Sequence, residues 1–344
     1  MKAIHLVKKG NARQAFEMRE VQKPHPKKGE VLIKVECFGL NYADVMARNG
    51  LYREAPPMPS VLGYEVVGTI EQVGEGGDQN IVGKRVVAFT RFGGYAEYAV
   101  TTELGVSEIG DMDAGVAACI ATQFVTAYYM AYECLNIFEK DKILIHAGAG
   151  GVGTALIQLC KLKGAEVFAT AGSDEKLAYI KKQGADHAIN YRQNDYAIEM
   201  QKVMGSDRLE ATFNPIAGST FKKDMSLIGS GGKVVLFGGS ERSGKKWGIL
   251  STLNFVRKMG LMIPIGLMMR SKSVLGVNML KIGDNKPLVL NRCLSEVVKM
   301  VKEGQLNPHV GARFSADQIA EAHELLENRS SIGKVVVYWE EVGI

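Results

Sequence analysis

Cysteine is sparse and scattered. The five in this 344-residue chain stand at 37, 119, 134, 160 and 293, odd in number and with no CxxC pair. That pattern excludes a disulfide framework and a zinc knuckle, and fits reduced thiols in a cytoplasmic protein. The six histidines are equally dispersed, at 5, 25, 146, 187, 309 and 323. No block of Lys and Arg interleaved with aromatics occurs, and the net charge of +5 is spread along the chain, so nucleic acid is not expected as a partner. Long apolar runs are missing too: "MGLMIPIGLMM" (259–269) reaches about half of the ~20 residues that a spanning helix needs. The opening "MKAIHLVKKG" has no small-residue cleavage site and reads as a first strand rather than a secretory signal.

What is present is the balance of a soluble globular protein, 46% apolar and 23% charged, with a length that suits two domains. The first third is β-rich. "EVLIKVECFGL", "YEVVGTIEQVGEG", "KRVVAF" and "GYAEYAV" are β-branched runs bounded by glycine, and the three prolines of "REAPPMPSVLG" (53–63) mark an irregular loop. From about residue 122 strands alternate with helices: "KILIH" (142–146), a helix to Gly164, "EVFAT", a helix from near Ser173 or Asp174, "HAIN", "LEATFN", "KVVLFGG" and "SVLGVN" (273–278). Helical connections of that length imply right-handed crossovers and a parallel sheet. Two further helices and a final strand, "GKVVVYW", are expected to rejoin the N-terminal β-region, which makes the parallel-sheet domain (122–280) an insertion between 1–121 and 281–344.

"HAGAGGVGTALIQLCK" (146–161) closes one of these strands and opens a helix. Gly148, Gly150 and Gly153 form a GxGxxG, with Gly151 and Val152 inside it. Side-chain-free turns let backbone N–H groups approach a pyrophosphate, and the helix N-terminus adds about half a positive charge. The expectation is a dinucleotide site. At the end of the second strand, where an NAD site places Asp or Glu against the ribose 2′-hydroxyl, the chain has Thr170, Ala171, Gly172 and Ser173, then Lys176. A short polar pocket with a lysine suits a 2′-phosphate, so the cofactor expected is NADPH. Asp174 is read as a helix N-cap or as a ribose contact; Tyr191 and Arg192 add donors nearby.

These stretches, with "GLNYADVMARNGLY" (39–52), "LGYEVVGTIEQVGEG" (62–76), "FVTAYY" (124–129), "GGKVVLFG" and "IGKVVV", resemble the medium-chain dehydrogenase/reductase superfamily in its quinone oxidoreductase (zeta-crystallin-like) branch. "NPIAGST", "LGVNML" and "LNPHV" look closer to the subgroup named after the synaptic vesicle amine transport protein. The resemblance implies an α/β protein: a GroES-like β-rich catalytic domain and a Rossmann doubly wound parallel-sheet domain that binds the nucleotide. Zinc-dependent members bind the metal through a Cys, a His in a GHE triplet, and a third Cys or acid. Here those positions hold Asn41, Tyr64 and Thr122, and the structural zinc loop is missing, so no metal is expected. Without a Lewis acid a simple ketone is hard to reduce. A quinone or an α,β-unsaturated carbonyl delocalises the incoming charge, and modest hydrogen-bond donors suffice.

The matching positions imply Tyr52 and Tyr64 as donors to the acceptor oxygen, with Asn41 orienting substrate or nicotinamide ribose; the alternative is that each is a packed side chain with a satisfied polar tip. Thr126, Asn214 and Gly238 are implied cofactor contacts, and Arg329 is either a phosphate contact or a surface arginine. Segment 240–270 begins basic (Lys245, Lys246, Arg257, Lys258) and ends rich in methionine, and is read as packing, as a lid, or as a membrane-surface contact. A homodimer through the edge strand "SVLGVN" is expected. A catalytically weak nucleotide-binding or lipid-associated scaffold on the same fold is the alternative function.

Overall fold

The computed structural model describes residues 1–242 and 248–340, without the side chains of 242 and 248–252; Lys245 and Lys246 lie outside the described residues. The chain divides into two units, Met1–Thr126 with Met279–Ile344, and Ala127–Asn278. The expected divisions at 121/122 and 280/281 compare with 126/127 and 278/279 here.

The first unit is built on the long strand Glu30–Leu40, whose inward residues Val31, Ile33, Phe38 and Leu40 are buried. One of its edges pairs antiparallel with Glu65–Val73. The other edge is shared: Tyr98–Thr102 pairs with its first half, and Lys334–Tyr338 with its second, Val335 opposite Leu40. The final strand therefore rejoins the N-terminal β-region, as the sequence pattern implied. Val310–Ser315 extends the sheet beyond Lys334–Tyr338, and Arg85–Phe89 and Val106–Glu108 extend it beyond Glu65–Val73. Phe38 stacks on Tyr95 at 4.5 Å inside this core. The helix Tyr42–Arg48 follows the long strand directly, so the residue at the junction, Asn41, is its N-cap.

The second unit is a six-stranded, all-parallel sheet in the order His187–Asn190, Glu166–Ala171, Lys142–Ile145, Leu209–Asn214, Ile228–Leu236, Ser273–Gly276. Leu144, Phe168 and Val234 have no exposed surface, as expected of strands covered on both faces by crossover helices. The chain starts in the middle at Lys142–Ile145, walks outward two strands, then returns to the other side of its starting strand. The carboxyl end of Lys142–Ile145 is thus the point where strand order reverses, the place where open α/β sheets bind ligands. Ser273–Gly276 is an edge strand.

The longest apolar segment differs from the sequence reading. The helical run Ala114–Glu133 is long and apolar enough to cross a membrane by length and composition, but 72% of its apolar window is buried, as in a core helix.

Candidate functional site

In the second unit the glycine turn sits at the reversal point. Ala147 takes a left-handed conformation (φ 53°), and the Gly148 N–H donates to the Thr170 carbonyl at 2.9 Å, tying the turn to the end of the neighbouring strand. Gly153 is sterically required: a Cβ there would lie 2.3 Å from the Ala147 carbonyl oxygen. The helix that follows the turn spans Gly151–Leu162. Its N-cap is Gly150, which offers no side-chain acceptor. The first-turn N–H groups of Gly151, Val152 and Gly153 have no helical carbonyl of their own, which is the arrangement that receives a phosphate.

The end of the next strand supplies a second feature. A Cβ on Gly172 would meet the Tyr191 hydroxyl at 2.8 Å and Arg192 Nε at 3.1 Å, so glycine there lets these two side chains close over the turn. Ser173 is the N-cap of the helix Asp174–Lys182, its hydroxyl accepting from the Lys176 N–H at 3.4 Å. The cap expected at Asp174 therefore belongs to Ser173. Burial, and then the Arg192 guanidinium, lower the Lys176 ammonium from its ordinary value. Two cations that destabilise each other beside a glycine turn form a site that an anion would relieve.

Behind both turns lies a buried polar hub that the sequence reading missed. Asp224, fully buried in the helix Phe221–Leu227, accepts from Tyr196 Oη (2.8 Å) and His146 Nε2 (2.9 Å) on one oxygen, and from Asn214 Nδ2 (2.5 Å) and Thr212 Oγ1 (3.3 Å) on the other. Asn214 is itself unexposed, and its Oδ1 accepts from the Ile216 and Ala217 N–H groups, both at 2.8 Å. Its side chain thus serves the hub and the following turn instead of projecting outward as a cofactor contact. Gly238 is an exposed loop residue pressed against Pro215, where a Cβ would fall 2.7 Å from the carbonyl oxygen.

In the first unit Tyr64 is buried, and its hydroxyl has no hydrogen-bond partner among the described residues. The rings of Tyr52 and Tyr64 meet edge-to-face at 6.1 Å, and Phe92 packs on Tyr64 at 5.1 Å. Burial pushes the Tyr52 phenol up to about 12, and burial followed by the nearby Asp44 carboxylate pushes Tyr64 further still, so both keep their protons and can donate. The Asp44 carboxyl, fully buried, is itself raised to about 7, although the Asn41 N–H donates to it at 2.8 Å. Asn41 is buried with both ends of its amide engaged: Nδ2 donates to Glu65 at 2.8 Å, and Oδ1 accepts from the Lys334 ammonium at 2.9 Å. Glu65 and Lys334 form an ion pair. Thr126 is buried, and its hydroxyl donates to the Thr122 carbonyl. Arg329 is exposed at a left-handed turn after the helix Ile319–Glu327.

Residues 27–111 match the alcohol dehydrogenase GroES-like domain, and residues 151–296 match the zinc-binding dehydrogenase domain. The chain is 30% identical to a zebrafish (Danio rerio) synaptic vesicle membrane protein VAT-1 homolog, spanning 92% of this chain and 66% of that protein. It is 26% identical to the human quinone oxidoreductase, over 98% and 97% of the two chains. A mycobacterial structure complexed with NADPH superposes with a TM-score of 0.86 at 27% identity, covering 98% of this chain and all of the other. The chain belongs to the medium-chain dehydrogenase/reductase superfamily.

Zinc-dependent members of the superfamily set the comparison for residues 41, 64 and 122. The Asn41 amide is already bonded at both ends. The Tyr64 phenol is held protonated, and Thr122 offers a hydroxyl. The buried Lys334 ammonium, bonded to Asn41, would repel a dication. Zn²⁺ takes thiolate, imidazole or carboxylate, and this donor set does not fit it. The nucleotide common to the superfamily does fit: an uncapped helix N-terminus stands ready for the pyrophosphate, and Lys176, Arg192, Tyr191 and Ser173 gather around Gly172. The sequence offers Arg192 only as an added donor, and its packing against Gly172 cannot be foreseen from spacing. Lys334 carried a signal that went unread, a lysine interrupting the otherwise apolar "KVVVYW".

Proposed function

We propose that this chain is an NADPH-dependent, zinc-independent oxidoreductase that delivers hydride to a quinone or an α,β-unsaturated carbonyl. The observation that carries the cofactor choice is the cationic turn at Gly172, where Lys176 and Arg192 stand in place of the carboxylate that would bind a free 2′-hydroxyl. The mycobacterial relative complexed with NADPH supports it. When bound, the dihydronicotinamide supplies the hydride.

The protein's own part is binding and hydrogen-bond donation. The first-turn N–H groups of Gly151, Val152 and Gly153 hold the pyrophosphate, and Ser173, Lys176, Tyr191 and Arg192 hold the 2′-phosphate. Tyr64, protonated and with no hydrogen-bond partner for its hydroxyl among the described residues, donates to the acceptor oxygen, and Tyr52 beside it is the second donor. Two neutral donors cannot match a metal ion in stabilising a localised alkoxide. They do suffice where the acceptor spreads the charge over a conjugated system. That difference favours quinones and enones over simple ketones.

We assign the reaction to a cytoplasmic homodimer, its five free cysteines reduced and Ser273–Gly276 paired with its copy across a two-fold axis. A second reading, a weakly catalytic nucleotide-binding scaffold at a lipid surface, is favoured by one observation. Leu261, Ile263, Ile265, Met268 and Met269 are all more than half exposed, close to Arg257, Lys258 and Arg270.

The deciding experiment follows NADPH oxidation by metal-stripped protein with quinones, enones and simple ketones. Turnover confined to conjugated acceptors, and lowered about tenfold or more by Tyr64→Phe, is the expected result. NADPH binding without reduction of any acceptor, together with pelleting on anionic liposomes, would establish the scaffold reading instead.

A further inference from the structure

Asn41, Glu65 and Lys334 are buried together, with exposures of 5%, 0% and 1%. Lys334 reaches it from the strand Lys334–Tyr338 across Gly39, where any Cβ would lie 2.3 Å from Lys334 Cε and 2.7 Å from Glu65 Oε1. The second oxygen of Glu65 accepts the Thr122 N–H at 2.7 Å. Ordinarily a primary amide can sit either way round, because its oxygen and nitrogen have the same shape. Residue 41 cannot. An ammonium has only donors, so its partner on Asn41 must be the carbonyl oxygen; a carboxylate has only acceptors, so its partner must be the nitrogen. Turning the amide over would set oxygen against carboxylate and NH₂ against ammonium, two repulsive contacts in a site of low dielectric.

We propose that Lys334 and Glu65 are positioning residues that lock Asn41 with its carbonyl bonded to Lys334 and engaged by the Asp44 N–H in the capping box, leaving one amide N–H beyond the bond to Glu65, so that residue 41 meets a bound molecule as a hydrogen-bond donor. The inference rests on the functional reading above and narrows it. A locked donor selects ligands that present an oxygen acceptor, the carbonyl of a quinone or enone. It discriminates against molecules that present a hydroxyl or amine proton at the same point, because two donors would then face each other.

The test is a thermodynamic cycle on the full-length protein, using benzoquinone and cyclohexenone as acceptors. The double variant E65Q/K334M removes both charges together, so neither is left buried alone. In the wild-type background Asn41→Ala should lower kcat/KM about 10–100-fold, as expected for a donor to developing charge. In the E65Q/K334M background, where the amide is free to turn, the same substitution should cost no more than about threefold. Equal losses in both backgrounds would overturn the proposal. A purely structural pair predicts that equality.

Side-chain amide NMR of the unliganded wild-type protein decides the point even if the double variant fails to fold. The Nδ2 proton bonded to Glu65 should lie far downfield of its geminal partner, with a wider separation than for the exposed Asn194. An ordinary separation overturns the lock. If the wild type reduces neither acceptor, that failure falls on the functional reading, and the spectrum alone upholds or overturns the lock.

Discussion

His146 Nε2 donates to Asp224 at 2.9 Å with both side chains buried, and His146 is the last residue before the glycine turn. Its other ring nitrogen lies 3.4 Å from the Thr170 hydroxyl, at the end of the strand that leads into the Gly172 turn. The carboxylate thus joins the starting points of both glycine turns, while Asn214 and Thr212 join the strand on the other side. Asp224 should therefore matter to the whole carboxyl edge of the sheet. Asp224→Asn turns part of a four-donor acceptor into a donor. The expected loss is about 3 kcal/mol or more, since hydrogen bonds to a buried charge contribute about 1.5–3 kcal/mol each. In a domain of this size that is roughly 6–12 °C in thermal midpoint. A melting curve unchanged from wild type would show that the hub contributes nothing.

Lys176 makes a separate prediction about cofactor choice. Its ammonium is lowered by burial and by Arg192, so a doubly charged phosphate gains by neutralising both cations. Lys176→Ala should weaken NADPH binding roughly 10–100-fold, the scale of a charge-assisted bond. NADH binding should change little, because it lacks the phosphate. Titration with each nucleotide measures the ratio. A parallel loss for both would move Lys176 away from the 2′-position.

Asp44 predicts a pH dependence of stability. Its carboxyl is raised from 3.8 to about 7, chiefly by burial. The Asn41 and Gly63 N–H groups and the Lys334 ammonium oppose the rise, Glu65 adds to it, and the phenols of Tyr52, Tyr64 and Tyr95 lie nearby. Because the folded form keeps a proton that the unfolded chain has already released, this contribution is complete below about pH 4 and is lost as pH rises toward 7. Relative to Asp44→Asn, which cannot titrate, the wild type should lose stability between those values and run parallel above them. Denaturant midpoints across that range provide the measurement, and a constant difference between the two proteins would contradict the assignment.

Local chemistry makes the glycine turn legible. Gly148, Gly150 and Gly153 between an apolar strand and a helical pattern have one economical explanation, and their spacing is set by backbone approach rather than by distant packing. The Gly172–Lys176 stretch could be read the same way, except that Ser173 takes the cap expected at Asp174. Serine and aspartate cap equally well, so only the backbone shows where the helix starts. Asn214 shows what position alone leaves open. Position at the end of a strand indicates the edge that faces ligands, yet it cannot say whether a side chain turns outward or is drawn into a hub centred ten residues later.

The sequence by itself determined the two kinds of periodicity, the order of strands and crossovers, the glycine geometry, and the absence of thiol and imidazole at the positions where relatives hold zinc. These follow from residue type and short spacing. Only the tertiary structure decided which charges meet. Lys334 and Glu65 are 269 residues apart, and their pairing depends on the last strand returning to lie beside Glu30–Leu40. Asp44 shows the same dependence: its residue type is plain in the chain, but its proton affinity is set by neighbours that the fold brings in and by the water it removes.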